Sequence, residues 1–127
     1  MNKKIEDIHF CGYLSGNALA SLFKKCDFYL FPTFHNEGMP TSVLEAMAFG
    51  LPILTRPIGG INDFFKDGIN GILTSSKDPV VYAHLIDGLI NDTEKIKQIS
   101  NNNFVYAKEH FLASSVALKM EKIIVNI

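Results

Sequence analysis

Residues 28–52 read FYLFPTFHNEGMPTSVLEAMAFGLP, and three kinds of local signal follow one another within them. Phe28-Tyr29-Leu30-Phe31 is a continuous apolar run closed by Pro32. Continuous rather than alternating hydrophobicity predicts a strand buried on both faces of a parallel sheet. A polar loop over 33–39 follows. Pro40 suits the first turn of a helix, where the amide it lacks would find no partner anyway. That helix should run to about Phe49, with Gly50 at the C-terminal cap position. Pro52 keeps it from resuming, and Ile53-Leu54-Thr55 predicts the next strand.

Working outward, Ile8-His9-Phe10 followed by Gly12 reads as a strand end and a turn, and Asn17 as the cap of a helix over 18–25 carrying Leu19, Leu22 and Phe23 on one face. Downstream, Gly59-Gly60 marks a tight loop, 61–65 one or two helical turns, and Asp67-Gly68 and Asn70-Gly71 turns before a short strand at Ile72-Leu73. Three helices should follow: Asp78 capping 79–90, Thr93 capping a second to about His110, and a third from Ser114 to the C-terminus. Strands separated by helices imply crossover connections and a Rossmann-like α/β fold, a parallel sheet flanked by helices. Such sheets bind ligands beyond the carboxyl ends of their strands, which directs attention to loops 33–39 and 56–60.

The chain has 127 residues, one domain by length. It is 47% hydrophobic and 20% charged with a net charge of −1, so no field of one sign favours nucleic acid or an anionic membrane. The two cysteines, Cys11 and Cys26, form no metal-spaced cluster and are expected as reduced, buried thiols. The N-terminus lacks the apolar run of a signal peptide, and no stretch reaches the roughly 20 apolar residues of a membrane span. These features suggest a cytoplasmic protein, with peripheral membrane contact left open for an intact enzyme. A stripe of Val116, Met120, Ile123, Ile124 and Ile127 on the last helix makes a second copy of the chain a candidate partner.

The loop ahead of the Pro40 helix has the makings of an anion site. A helix N-terminus offers unpaired amides and a positive dipole end, where a diphosphate docks readily. Gly38 leaves the backbone open to close approach. Glu37 and Glu45 bracket the site, and a carboxylate accepts hydrogen bonds from vicinal hydroxyls, as in ribose recognition. Spacing alone would not separate these acids from ordinary solvated ones. His35, two residues before Glu37, and Arg56, the only arginine, at the second loop, are secondary candidates.

The stretch from Asp27 to Gly71 resembles the C-terminal domain of glycosyltransferase family 4, the group 1 transferases of GT-B fold. The resemblance rests on Pro32, then Glu37-Gly38-Met39-Pro40, then Leu44-Glu45-Ala46-Met47-Ala48-Phe49-Gly50-Leu51-Pro52, followed by Gly59-Gly60, Asp63, Asp67-Gly68 and Gly71. It implies that Glu37 contacts hydroxyls of a donor sugar. Gly38, Met39 and Pro40 would line the sugar and phosphate pocket, with the amides of Gly38, Met39 and Thr41 donating. Thr41 and Ser42 would lie beside the phosphates, and Glu45 would hold the ribose. It further implies a nucleoside-diphosphate sugar as donor, retaining transfer to a polysaccharide, lipid-linked or glycolipid acceptor, and no cofactor or metal. Asp63 stands where the family more often has Glu, and its shorter reach gives it no assigned role. Family members also have an N-terminal acceptor domain and an upstream segment supplying an Arg and a Lys for the diphosphate. The resemblance begins after both, so residues 1–127 read as part of a GT-B C-terminal domain, inactive alone. A GT-B-related sugar-nucleotide epimerase and a non-catalytic binding module are the rival readings.

Overall fold

The computed structural model describes residues 7–36 and 38–126. In chain order the elements are α1 (Gly16–Lys25), β1 (Tyr29–Phe31), α2 (Thr41–Ala48), β2 (Ile53–Thr55), α3 (Ile61–Phe64), β3 (Gly71–Leu73), α4 (Pro79–Ile90), α5 (Thr93–His110) and α6 (Ala113–Val125). The strands form one parallel sheet in the order β1-β2-β3. Tyr29, Leu30 and Phe31 stand beside Ile53, Leu54 and Thr55, which in turn stand beside Gly71, Ile72 and Leu73. This is the predicted α/β architecture, a parallel sheet flanked by helices.

The central strand is buried along its whole length. Its one polar side chain, Thr55, donates its hydroxyl to Phe31 O at 2.8 Å, so burial leaves it no unmet hydrogen bond. β1 departs from expectation. Among the described residues it pairs with β2 alone, and Leu30 is 46% exposed. The apolar run is continuous because Tyr29 and Phe31 pack on the core while Leu30 lines a groove toward α4, not because both faces are covered.

The core lies between the sheet and α2, with Val43, Ala46 and Met47 against Ile53, Ile61, Phe64 and Phe65. α2 ends as anticipated. Gly50 adopts φ +72°, Leu51 N donates to Ala46 O at 3.0 Å and Gly50 N to Met47 O at 2.9 Å, the two bonds of a Schellman motif. Gly50 is also where α5 crosses: a β-carbon there would sit 3.2 Å from Ser100 O.

Several local expectations give way. Ile8-His9-Phe10 forms no strand, and Phe10 is 90% exposed, because none of the three strands takes up its backbone hydrogen bonds. Cys11, just after it, is therefore exposed rather than buried. Ser15, not Asn17, precedes α1. Asp92, not Thr93, caps α5, its Oδ1 accepting from Lys95 N at 3.0 Å; a carboxylate outcompetes a hydroxyl for that end of the helix dipole. Leu112 precedes α6 without a side-chain cap. Asp78 does cap α4, accepting from Val80 N at 2.9 Å. α6 packs on α5 yet buries none of its own residues, leaving Met120, Ile123 and Ile124 exposed.

A buried amide ties these parts together. Asn103 on α5 is 0% exposed. Its Nδ2 donates to Leu51 O and to Asn70 O, both at 2.8 Å, and its Oδ1 accepts from Asn70 Nδ2 at 2.8 Å. Asn70 Oδ1 in turn accepts from Lys66 N at 2.8 Å. One side chain thus joins α5 to the α2–β2 connection and to the turn entering β3. Asn103→Ala would strand these interior groups at about 1–3 kcal/mol each. Urea denaturation should show a loss of about 2–5 kcal/mol. Asn102→Ala, whose amide makes one 3.4 Å surface bond to Ile69 O, should cost under about 0.5 kcal/mol.

Candidate functional site

The carboxyl ends of β1, β2 and β3 lead into three loops, 32–40, 56–60 and 74–78. Backbone and side-chain bonds lock these loops to one another. Gly60 N donates to Gly38 O at 3.0 Å, joining the first loop to the second. Arg56 joins all three: Nη1 donates to Thr33 O at 3.3 Å and Nη2 to Ser75 O at 3.1 Å. Glu37, the acid placed by sequence on the donor sugar, lies outside the described residues.

Pro40 is buried and occupies the N-cap of α2 at φ −71°, ψ 105°. The first amides bonded back to it are those of Val43 and Leu44, at 3.1 and 3.3 Å from Pro40 O. The amides of Thr41 and Ser42 therefore have no acceptor one turn back within the helix. With the helix dipole behind them they favour an anion at this point. Thr41 and Met39 are exposed. A β-carbon on Gly38 would meet nothing within 4 Å, so one side of that loop opens to space. His35 and Phe34 are exposed and lie ring to ring at 4.4 Å.

Glu45 is the fifth residue of α2, ~6 Å along the axis from Thr41 at 1.5 Å per residue. It is exposed and borders a cleft of about 170 Å³ against Gly16, Leu19 and Phe49. Near it stands Tyr29 of β1, which packs on the core. Burial pushes the Tyr29 phenol above its ordinary pKa, a hydrogen bond with Ser42 pulls it back, and the Glu45 carboxylate raises it again. The available signal for Tyr29 was its place in β1, one residue from Leu30 and so on the face toward α2.

The structure brings Gly38, Met39, Pro40, Thr41, Ser42 and Glu45 to one edge, from the end of β1 through the first turns of α2. Arg56 is on that edge too, but its guanidinium is engaged by loop carbonyls and borders a different cavity, about 610 Å³, with Leu30, Phe34, Lys77 and Tyr82. A further cavity, about 740 Å³, opens at the opposite ends of the strands beside Cys26, Gly50 and Phe104; its size does not make it the site, since it lies away from the strand carboxyl ends. Phe65, close to the second loop in sequence, is 4% exposed and belongs to the core. Among the described residues no three His, Cys, Asp or Glu side chains gather as a metal site, and no helix is long and apolar enough to cross a membrane.

The model of the glycosyl transferases group 1 family matches residues 2–105. An uncharacterized glycosyltransferase of Methanocaldococcus jannaschii is 28% identical over 109 residues, 86% of this chain and 31% of the relative. A D-inositol 3-phosphate glycosyltransferase of Salinispora arenicola is 30% identical over 88 residues, 69% of this chain and 19% of the relative. Among solved structures, Anabaena HepE in complex with UDP and glucose superposes with a TM-score of 0.81 at 24% identity, covering 94% of this chain and 32% of HepE. The C-terminal domain of a group 1 family protein, LpcC of Francisella tularensis, gives 0.69 at 23% identity, covering 80% of this chain and 52% of that domain. These likenesses show the fold shared with GT-B glycosyltransferases. The chain spans under a third of the length of the first two relatives.

Tyr29 gives a pH-dependent handle on the site. Its folded pKa is raised above 10.0, so the neutral phenol is favoured by folding. That contribution is present below the unfolded value and is lost as pH rises through the folded one. Ultraviolet titration should show Tyr29→Phe removing one late-titrating phenol, with Tyr82, also raised by burial, remaining. Glu45→Gln should bring the Tyr29 transition to lower pH.

Proposed function

The chain belongs to the group 1 glycosyl transferases, and from that premise we propose that it is the donor-binding part of a family 4 GT-B enzyme. The observation that carries the reading is the alignment along one edge of the open side of Gly38, the Thr41 and Ser42 amides, which have no acceptor within α2, and the exposed carboxylate of Glu45. Their order suits a nucleoside-diphosphate sugar laid along the edge. Glu37 would accept from hydroxyls of the sugar, with Gly38, Met39 and Pro40 lining its pocket. Amides of Gly38, Met39 and Thr41 would hold the diphosphate beside Thr41 and Ser42, and Glu45 would accept from the ribose hydroxyls. HepE binds UDP and glucose, so a UDP-sugar is the first donor to try.

In the reaction the glycosidic bond to the diphosphate breaks with retention of configuration at the anomeric carbon. Negative charge grows on the leaving phosphate. Amides and a helix dipole already aimed at that position stabilise it without reorganising. The acceptor would be a polysaccharide, lipid-linked glycan or glycolipid, held by a second domain, in a cytoplasmic enzyme with peripheral membrane contact. Closing two domains excludes water and aligns the reactants, so residues 1–127 alone should bind without transferring. The outer edge of β1, which has no partner among the described residues, and the 52% coverage of a solved C-terminal domain support reading the chain as part of a larger sheet.

Calorimetry with UDP-, GDP- and ADP-sugars tests this. One class should bind the chain. Glu45→Ala should weaken that binding about tenfold, the loss of hydrogen bonds to a charged group. Gly38→Ala should weaken it similarly while leaving the unfolding free energy from urea denaturation within about 0.5 kcal/mol of wild type. Unchanged affinity in Glu45→Ala, or no binding by either the chain or a longer protein containing it, would remove the donor-site reading.

A further inference from the structure

Gly60 combines a hydrogen bond and a steric requirement at the centre of the loop edge. Its amide donates to Gly38 O at 3.0 Å. A β-carbon at position 60 would lie 2.1 Å from that same oxygen, 2.9 Å from Gly38 C and 3.5 Å from Met39 N. The backbone of Gly60 itself sits at φ −64°, ψ −11°, which any residue adopts. Glycine is therefore demanded here by the approach of the other loop and not by the conformation of its own.

The two loops differ in freedom. Gly60 precedes α3, whose Ile61 and Phe64 are 0% and 7% exposed, and Gly60 O accepts from Asp63 N at 3.2 Å. It is held to the core. Residues 34–36 and 38–39 are all exposed. Among the described residues of 34–39, the Gly38–Gly60 bond is the one hydrogen bond to another segment. Any side chain at 60 must therefore displace the 34–39 loop, by about an ångström to reach ordinary contact.

We propose that Gly60 is a positioning residue for the donor site, its amide and bare α-carbon fixing the backbone of Gly38 and the entry to α2. The proposal rests on the donor-binding reading of loop 32–40 and adds a residue that touches no part of the ligand. The contrast with Gly38 is chemical: a side chain there would enter open space, whereas one at 60 would strike backbone.

Hydrogen exchange and calorimetry on the 127-residue chain test it. In the wild type without ligand, the Gly60 amide should be protected; an amide exchanging at the open-chain rate would overturn the proposal without any variant. Gly60→Ala should speed exchange across residues 33–44 about tenfold, with α4 and α5 protected as in wild type, and should weaken UDP-glucose binding about tenfold or more. Gly88→Ala, on open helix surface, should change neither. Wild-type exchange over 33–44 in Gly60→Ala would overturn the positioning role, as would a loosened loop with unchanged affinity. If the wild-type chain binds no sugar nucleotide, the donor reading fails, and exchange alone decides whether Gly60 holds the loop.

Discussion

Three strands of three residues each cannot hold a fold by their own hydrogen bonds. The structure depends on the crossing of α2 and α5 that covers them, and that crossing is registered by one buried amide. Asn103 reaches from α5 to Leu51, where α2 gives way to β2, and to Asn70, where the chain turns into β3. Without those bonds α5 could still lie on α2 by hydrophobic contact, but nothing would fix where along it the sheet connections meet the helix. A fully satisfied polar group in a core specifies one arrangement among several of similar burial.

From that fixed base the other end of the sheet is built by contacts of a different kind. Thr55 ties β2 to β1 through its hydroxyl, Arg56 ties the first and third loops through their carbonyls, and Gly60 ties the first loop through its backbone. The three residues lie within one strand end and its loop. That short segment braces a candidate site whose proposed ligand contacts belong to a different segment. The division explains why Arg56, a secondary candidate by sequence, works as a brace.

Much of the fold was legible because punctuation is local. Pro32, Pro40, the Gly50-Leu51-Pro52 stop and the Asp78-Pro79 start each act through their own backbone, and each marks its boundary in the structure. Asp92 against Thr93 was a contest between adjacent capping residues that sequence alone does not rank safely. Asn103 was illegible for a deeper reason: within an Asn-Asn-Asn run on an amphipathic helix, only the fold decides which amide turns inward. Leu30 was misread because a continuous apolar run looks the same on an edge strand as on a central one. The site was half legible. The anion-ready helix start and Glu45 came from residue type and position, whereas Tyr29 beneath them and the Gly38–Gly60 approach depend on which segments the fold brings face to face.

The outer edge of β1, without a partner among the described residues, has a consequence for the chain as a physical object. Its backbone donors and acceptors lie beside a half-exposed leucine and an apolar groove, with no lysine or proline within Tyr29–Phe31 to discourage pairing. Such an edge is a template that accepts any extended segment, including β1 of a neighbouring molecule. At high concentration, self-association should therefore begin at the sheet edge by strand addition, in competition with the apolar stripe of α6. Two copies joined β1 to β1 use up both edges and close as a pair, just as two copies joined through the α6 stripe would.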